Sequence, residues 1–265
     1  MSWLLLQLRL FFIALQFFTR IPIPAWVGFE MQWLQHSVRY FTAVGLLLGV
    51  ILALCFALLS AILSPVPALL LSTAASLLLT GAFHEDGFAD MCDGFGGGNS
   101  KQRVLEIMVD SRVGAFGAIG ICVLLLCRLS LQAQFLPLQM MGALLLAHPV
   151  SRLASCSLIW RMAYVKGEGK AKPLSSQMSH AEFACACLFV LLPWMALGVA
   201  GVFSWWQLAM ALLLVLLATL EMARRLYRKI GGYTGDCLGA TQQVTEVACY
   251  VGLLLHLPWC SALCA

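Results

Sequence analysis

Half of the twelve acidic residues of this chain lie in one short segment, where their spacing could support metal chemistry. They are Glu85, Asp86, Asp90, Asp93, Glu106 and Asp110. On a helix, positions 86, 90 and 93 fall on one face, where like charges repel. A divalent cation would remove that repulsion. Carboxylate oxygens suit Mg²⁺, which often binds one or two carboxylates together with substrate phosphates. We therefore predict that Asp86, Asp90, Asp93 and Asp110 bind Mg²⁺.

The elements around these acids are expected to be helical. The preceding apolar span would run on as a helix through the first three aspartates. Glu106 and Asp110 repeat the i, i+4 spacing, which predicts a second helix from Lys101 to about Arg112. That helix could close the other side of the site. The alternative is a solvated acidic loop, which would explain the charges but not their spacing.

Glycines follow the acids and suggest a phosphate cradle. Glycine lets backbone approach a ligand closely, and successive N–H groups can then bind a diphosphate. An ordinary connecting turn is the alternative. The segment lacks the Gly-Lys-Ser/Thr ending of a P-loop and the alternating aspartates of an EF-hand loop. The predicted substrate-binding glycines are Gly94, Gly96, Gly97 and Gly98.

Three side chains could act as the general base of a transfer reaction. They are Asp110, Glu85 and His84. A carboxylate not fully engaged by metal could take a proton. A lone histidine at the end of a span is also a common interfacial residue. Arg112, beside Asp110, is predicted either to bind phosphate or to pair with that carboxylate.

Other polar residues stand in or near apolar stretches. Arg152 lies within an apolar run, where a forked contact to phosphate or carboxylate would satisfy its guanidinium. Lys170, in the basic loop 166–173, could close over a guanosine phosphate or could only signal topology. Asp236 and Glu246 are expected to face the same side as the acidic segment, where Asp236 could bind substrate. Arg128 is expected to snorkel to the opposite interface.

The composition places all of these residues in a membrane protein. Hydrophobic residues make up 62% of the 265 and charged residues only 11%. Windows of about 20 residues without a full charge are long enough to cross a bilayer as helices. We predict an all-α bundle formed by one domain, residues 1–265, with an interfacial or re-entrant helix at 3–18, for which an eighth span is the alternative. The seven expected spans are roughly 41–63, 67–83, 113–133, 138–158, 183–203, 205–223 and 246–264.

The basic residues orient the bundle. Fourteen of the sixteen Lys and Arg fall in alternate links between spans, and such links lie in the cytoplasm by the positive-inside bias. The N-terminus and the catalytic link, 84–112, are therefore expected on the cytoplasmic side of the inner membrane. The net charge of +4 is too small and too dispersed for a nucleic-acid surface. We expect no polar groups at the membrane midplane, which argues against a divalent-cation transporter.

Several motifs resemble known membrane transferases. Asp90, Asp93 and Gly94 resemble the first half of the aspartate motif of the CDP-alcohol phosphotransferases, although Glu106 stands in its second half. The paired aspartates of the prenyltransferases fit loosely. A fuller resemblance, to the cobalamin synthase family, covers nearly the whole chain. It rests on five segments in order: FTRIP at 18–22, HEDGFADMCDGFGGG at 84–98, DSRVGAFG at 110–117, HPVSR at 148–152 and GDCLGA at 235–240.

The resemblance implies a reaction and its partners. The substrates would be adenosylcobinamide-GDP and α-ribazole or its 5′-phosphate. The products would be adenosylcobalamin or its 5′-phosphate, and GMP, with Mg²⁺ required. The protein would lie in the lipid bilayer. A second copy of the chain and other enzymes of the corrinoid pathway are further expected partners, and no residues are assigned to these contacts. The alternatives are another aspartate-rich membrane transferase and, in another class, a divalent-cation transporter.

Overall fold

The computed structural model describes residues 3–165 and 178–255, and most of them are helical. Within these two ranges there is no strand, only an isolated parallel bridge between Tyr164 and Tyr233. Lys170 and its loop lie outside the described residues. The predicted all-α, multi-pass membrane fold is confirmed. The helices are α1 (Trp3–Phe18), α2 (Met31–Ser37), α3 (Phe41–Ser60), α4 (Pro65–Thr80), α5 (Phe83–Gly97), α6 (Lys101–Ile107), α7 (Ala115–Gln132), α8 (Pro137–Arg161), α9 (His180–Val199), α10 (Trp205–Ile230) and α11 (Gly235–Leu254).

Five helical stretches of the described chain are long and apolar enough to cross a bilayer. They are Met31–Ser60, which joins α2 to α3, and the helices α7, α8, α9 and α10. Helices α4 and α5 together would make a sixth span, but they are bent by 86° at the break between them. The seventh predicted span, 246–264, overlaps α11, which begins at Gly235 and is not among these candidates. The last ten residues of the chain lie outside the described ranges.

Helix α1 is shorter than a membrane crossing. Its 16 residues extend about 24 Å, against roughly 30 Å of hydrocarbon. Its bounds, Trp3–Phe18, are those predicted for this helix. The ring of Phe18 packs edge-on against Phe41 of α3, with ring centroids 4.4 Å apart. One end of α1 is thus anchored in the core, and its place at the interface stays a prediction.

The break between α4 and α5 lies at Gly81 and Ala82. Both residues are left-handed, with φ of 66° and 54°. Two such residues in succession cannot continue a right-handed helix. A Cβ at position 81 would lie 2.6 Å from Nε of Arg20, so the close contact also favours glycine. The expectation that the span runs on as one helix into the aspartates is therefore wrong.

Small residues bring the central helices close together. A Cβ at Gly45 or Gly49 of α3 would lie 2.7 Å from a backbone carbonyl oxygen of α8. Without a side chain at these positions the two backbones pack in direct contact, as small residues allow in membrane bundles. Helix α8 is buried on nearly all sides, whereas α7, α9 and α10 expose many leucines outward. The core thus forms around α3, α8 and α11, and α5 packs against α11.

Candidate active site

The predicted aspartates meet the last helix where α5 crosses α11. Gly87 lies between Asp86 and Asp90 in sequence, and a Cβ on it would be 2.9 Å from Cα of Asp236. Gly239 makes a similar approach to the backbone of His84. The structure thus places Asp236 beside the turn of α5 that carries two of the predicted metal ligands. Asp86 is exposed, and Asp90 and Asp236 are half-buried.

The donor set suits a metal shared with a substrate. Within residues 3–165 and 178–255, no three His, Cys, Asp or Glu side chains are grouped so that they could hold a metal ion by themselves. Mg²⁺ often needs only one or two carboxylates when substrate phosphates complete its shell. Asp86 and Asp90, one helical turn apart on α5, match that pattern. Their binding of Mg²⁺ stays a prediction.

Asp93 has a structural partner of its own. Its Oδ2 accepts the backbone N–H of Gly114 at 2.7 Å, and its Oδ1 accepts that of Gly117 at 2.8 Å. These N–H groups open α7, so the carboxylate caps that helix and compensates its dipole. The side chain is buried against the two glycines. Asp93 therefore fastens α5 to the start of α7, and metal binding by it stays a prediction.

We expect Asp93→Asn to lower stability more than catalysis. The amide keeps one acceptor but turns an NH₂ group toward the second N–H, so a charge-assisted bond is lost, at about 1–3 kcal/mol. Thermal unfolding of the purified protein in detergent measures this change. Activity at a temperature well below the midpoint should remain within a few-fold of wild type. Unchanged stability with abolished Mg²⁺-dependent activity would instead favour a metal ligand.

Asp110 lies outside a helix, contrary to prediction. Helix α6 ends at Ile107 and does not reach Arg112, so Asp110 stands in the turn before α7. Arg112 donates to it through Nη2 and Nε, at 2.6 Å and 3.0 Å. This hydrogen bonding lowers the pKa of Asp110 to about 2. The ion-pair alternative for Arg112 is confirmed, and Asp110 is a weak base at neutral pH.

The predicted glycine cradle is not a loop. Helix α5 continues to Gly97, so the N–H groups of its glycines belong to helical backbone. A Cβ at Gly96 would lie 2.5 Å from the ring of Phe116, at the start of α7. Gly94 faces Met108, and Gly98 faces Val104 of α6. These glycines allow α6 and α7 to pack closely on α5, so the local structure expected for a cradle is wrong.

A network of buried charges lies behind the aspartate face of α5. Nη1 of Arg128 on α7 lies 3.4 Å from Oε1 of Glu85 and 3.9 Å from Oε1 of Glu246. Gln243 donates to Glu85 at 2.9 Å. Arg128, Glu85 and Glu246 are 4%, 7% and 2% exposed. The expectations that Arg128 snorkels and that Glu246 faces the acidic side are therefore wrong, because each side chain finds its partner inside the bundle.

Arg152 is also buried, and the forked contact to phosphate that was expected of it stays a prediction. Its Nη1 donates to the carbonyl oxygen of His148 at 3.0 Å, and its guanidinium lies 5.6 Å from the ring centroid of Phe18. The imidazole ring of His84 stacks on the same Phe18 ring, with ring centroids 5.3 Å apart. Nε of Arg152 and Nε2 of His84 have no hydrogen-bond partner among the described residues. Both side chains thus lie in the core of the bundle.

The buried carboxylates do not form a cation filter. Midplane acids were the feature expected of a transporter, and Glu85 and Glu246 are indeed inside the bundle. The expectation that no polar groups lie at the membrane midplane stays a prediction. However, the guanidinium of Arg128 occupies the space between the two carboxylates. A fixed positive charge at that position repels a metal cation.

Sequence reasoning missed this network, although one signal was present. Arg128 and Arg152 were the two basic residues that fitted neither side of the membrane. Two buried positive charges need two negative ones nearby, because an unpaired charge in an apolar core is costly. Glu85 and Glu246 were among the acids in or next to the predicted spans, together with Glu182 and Glu221. Pairing the two sets by charge would have suggested the network, but not which residues touch.

Comparison with known proteins agrees with the motif resemblance. The cobalamin-5-phosphate synthase family matches residues 10–254. A protein of Leptospira biflexa named adenosylcobinamide-GDP ribazoletransferase is 38% identical over 95% of this chain and 97% of its own length. Proteins of the same name from Leptothrix cholodnii and Shewanella frigidimarina are 43% and 42% identical, over 96% and 94% of this chain and over 98% and 95% of their own lengths. No solved structure matches the chain. A match over residues 10–254 shows that the chain belongs to the cobalamin-5-phosphate synthase family.

Proposed function

We propose that this protein joins adenosylcobinamide-GDP to α-ribazole or its 5′-phosphate. The products are adenosylcobalamin or its 5′-phosphate, and GMP. The observation that carries the proposal is the likeness to curated relatives named for this activity, over at least 94% of the chain. The aspartates at the crossing of α5 and α11 support it, because they suit a reaction at a diphosphate. Asp86 is exposed there, and Asp90 and Asp236 are half-buried.

The metal of this reaction is proposed to be Mg²⁺, held by Asp86 and Asp90. When bound, it would neutralise charge on the diphosphate and on the departing GMP. Asp86 is open to solvent and so is accessible to a substrate from outside the bundle. Asp236 adds a third carboxylate beside the same turn, where it could accept a hydrogen bond from a substrate hydroxyl.

The transfer itself needs positioning more than a strong base. A ribazole hydroxyl oxygen forms a bond to the phosphorus that carries cobinamide, and the bond from that phosphorus to the GMP oxygen breaks. The hydroxyl proton is lost to solvent or to a carboxylate that the metal leaves free. The transition state of such a phosphoryl transfer is loose, so catalysis depends mainly on the alignment of the substrates and on electrostatic stabilisation. This suits a site whose predicted bases, His84, Glu85 and Asp110, are either buried or tightly ion-paired.

The reaction is proposed to take place at the cytoplasmic face of the inner membrane. The distribution of Lys and Arg among the links supports this orientation. The two arginines that fit neither side, Arg128 and Arg152, are those that pair or pack inside the bundle. They therefore no longer count against the assigned topology.

Turnover by the purified protein in lipid tests the proposal. With adenosylcobinamide-GDP, α-ribazole and Mg²⁺, we expect GMP and a cobalamin product in equal amounts. Chelation of Mg²⁺ should stop both, and re-addition should restore them. A folded sample that forms no product, but transfers from a CDP-alcohol donor, would contradict the proposed reaction. Product formation that is unaffected by chelation would contradict the proposed role of Mg²⁺ but not the proposed reaction.

A further inference from the structure

Helix α5 is fastened to α7 at two points, one at each end of its aspartate face. Asp93 caps the start of α7, and Glu85 pairs with Arg128 near its end. The two helices are therefore antiparallel along this contact. Glu85 and Asp93 are eight residues apart, which is about 12 Å along a helix. Asp86 and Asp90 lie between the two fastenings.

The fastening at Arg128 also includes α11. Nη1 of Arg128 lies 3.4 Å from Oε1 of both Glu85 and Gln243. The amide of Gln243 donates to Glu85, so each of three helices contributes one member. Glu246, one turn further along α11, is held by Gln242 at 2.6 Å and Tyr250 at 3.1 Å. A single guanidinium thus connects the helices whose crossing forms the candidate site.

This network is not arranged for stability alone. Nε of Arg128 and Oε2 of Glu85 are buried without a hydrogen-bond partner among the described residues. Incompletely satisfied buried ion pairs are often no more stable than apolar side chains of the same size. Their better attested use is to select one arrangement of helices among alternatives. The helices that this network connects are α5, α7 and α11.

We propose that Arg128 is a positioning residue for the reaction. Through Glu85 and Gln243 it holds the first turns of α5 against α11, and so keeps Asp86 and Asp90 beside Asp236. Its side chain is 4% exposed and contacts Glu85 and Gln243, so it would act through these two side chains. The expected effect on kcat rests on the proposed function. The expected effect on the packing of α5 does not.

Four variants test the inference in lipid. Arg128→Gln leaves two buried carboxylates without their cation, so both the thermal midpoint and kcat should fall. Arg128→Gln combined with Glu85→Gln restores the charge balance. Arg128→Lys keeps the positive charge but loses the several N–H donors of the planar guanidinium. Arg225→Gln is the control, an exposed arginine on α10 that pairs with Glu221 at 2.7 Å.

A positioning role predicts that stability and kcat separate. The double variant should recover the midpoint, yet its kcat should stay lower on the order of 10²-fold, as expected for a misplaced catalytic group. KM should change by less than about threefold, because a positioning role leaves the binding of substrate in the ground state unaffected. Arg128→Lys should recover part of kcat, and Arg225→Gln should match wild type. Recovery of kcat together with the midpoint would reduce Arg128 to a structural residue and overturn the inference.

Hydrogen exchange gives a readout that does not depend on activity. In the double variant, amides of residues 83–97 should exchange faster than in wild type and in Arg225→Gln, while those of α8 stay protected. Unchanged exchange in α5 would overturn the inference. If wild type itself makes no product, the proposed function fails, and the exchange rates still decide whether Arg128 holds α5.

Discussion

Asp86→Asn and Asp90→Asn are each expected to lower kcat on the order of 10²–10³-fold, the scale for losing one electrostatic contact to a transition state. The amide keeps the size of the side chain but removes the charge that a divalent cation needs. Asp86 is exposed and Asp90 half-buried, so neither change should disturb packing. The measurement is GMP release at saturating substrates, as a function of Mg²⁺ concentration.

The Mg²⁺ dependence separates a ligand from a bystander. Loss of a ligand should raise the Mg²⁺ concentration needed for half-maximal rate, and high Mg²⁺ should restore part of the activity. Glu30→Gln is a suitable control, since Glu30 is exposed and its side chain makes no capping bond to α2. Wild-type rates in both aspartate variants would show that the metal site has been placed wrongly.

Glu246→Leu is expected to destabilise the protein by about 3–5 kcal/mol, the usual cost of removing one partner of a buried ion pair. Leucine has a similar volume, so the loss comes from charge rather than from a cavity. Arg128 would keep only Glu85, and Tyr250 and Gln242 would each lose a hydrogen-bond partner. Unfolding of the purified protein by titration with SDS in mixed micelles measures the change.

The matched control is Glu221→Leu on α10. That carboxylate is exposed and pairs with Arg225, so its loss should cost less than about 1 kcal/mol. Combining Glu246→Leu with Arg128→Met should recover much of the stability, because the remaining Glu85 and Arg152 then balance in charge. Equal losses at positions 246 and 221 would mean that the buried network contributes little to the fold.

The sequence by itself determined the fold class and the family of this protein. Apolar windows of about 20 residues require membrane helices whatever their neighbours are, because unpaired backbone cannot lie in lipid. The spacing of Asp86, Asp90 and Asp93 correctly predicted that they lie on one helix. The five ordered motifs indicated the family that residues 10–254 match. Each of these inferences uses residues that are local in the chain.

Only the tertiary structure decided how the polar residues are paired. Asp93 meets Gly114 and Gly117 because α5 and α7 run antiparallel, and the break at Gly81 sets the direction in which α5 enters the bundle. Arg128 meets Glu85 and Glu246 across 43 and 118 positions of the chain. Spacing along one helix predicts its faces but not its neighbours. Helix packing, which brings distant residues within hydrogen-bond distance, therefore determined which acids hold the bundle together.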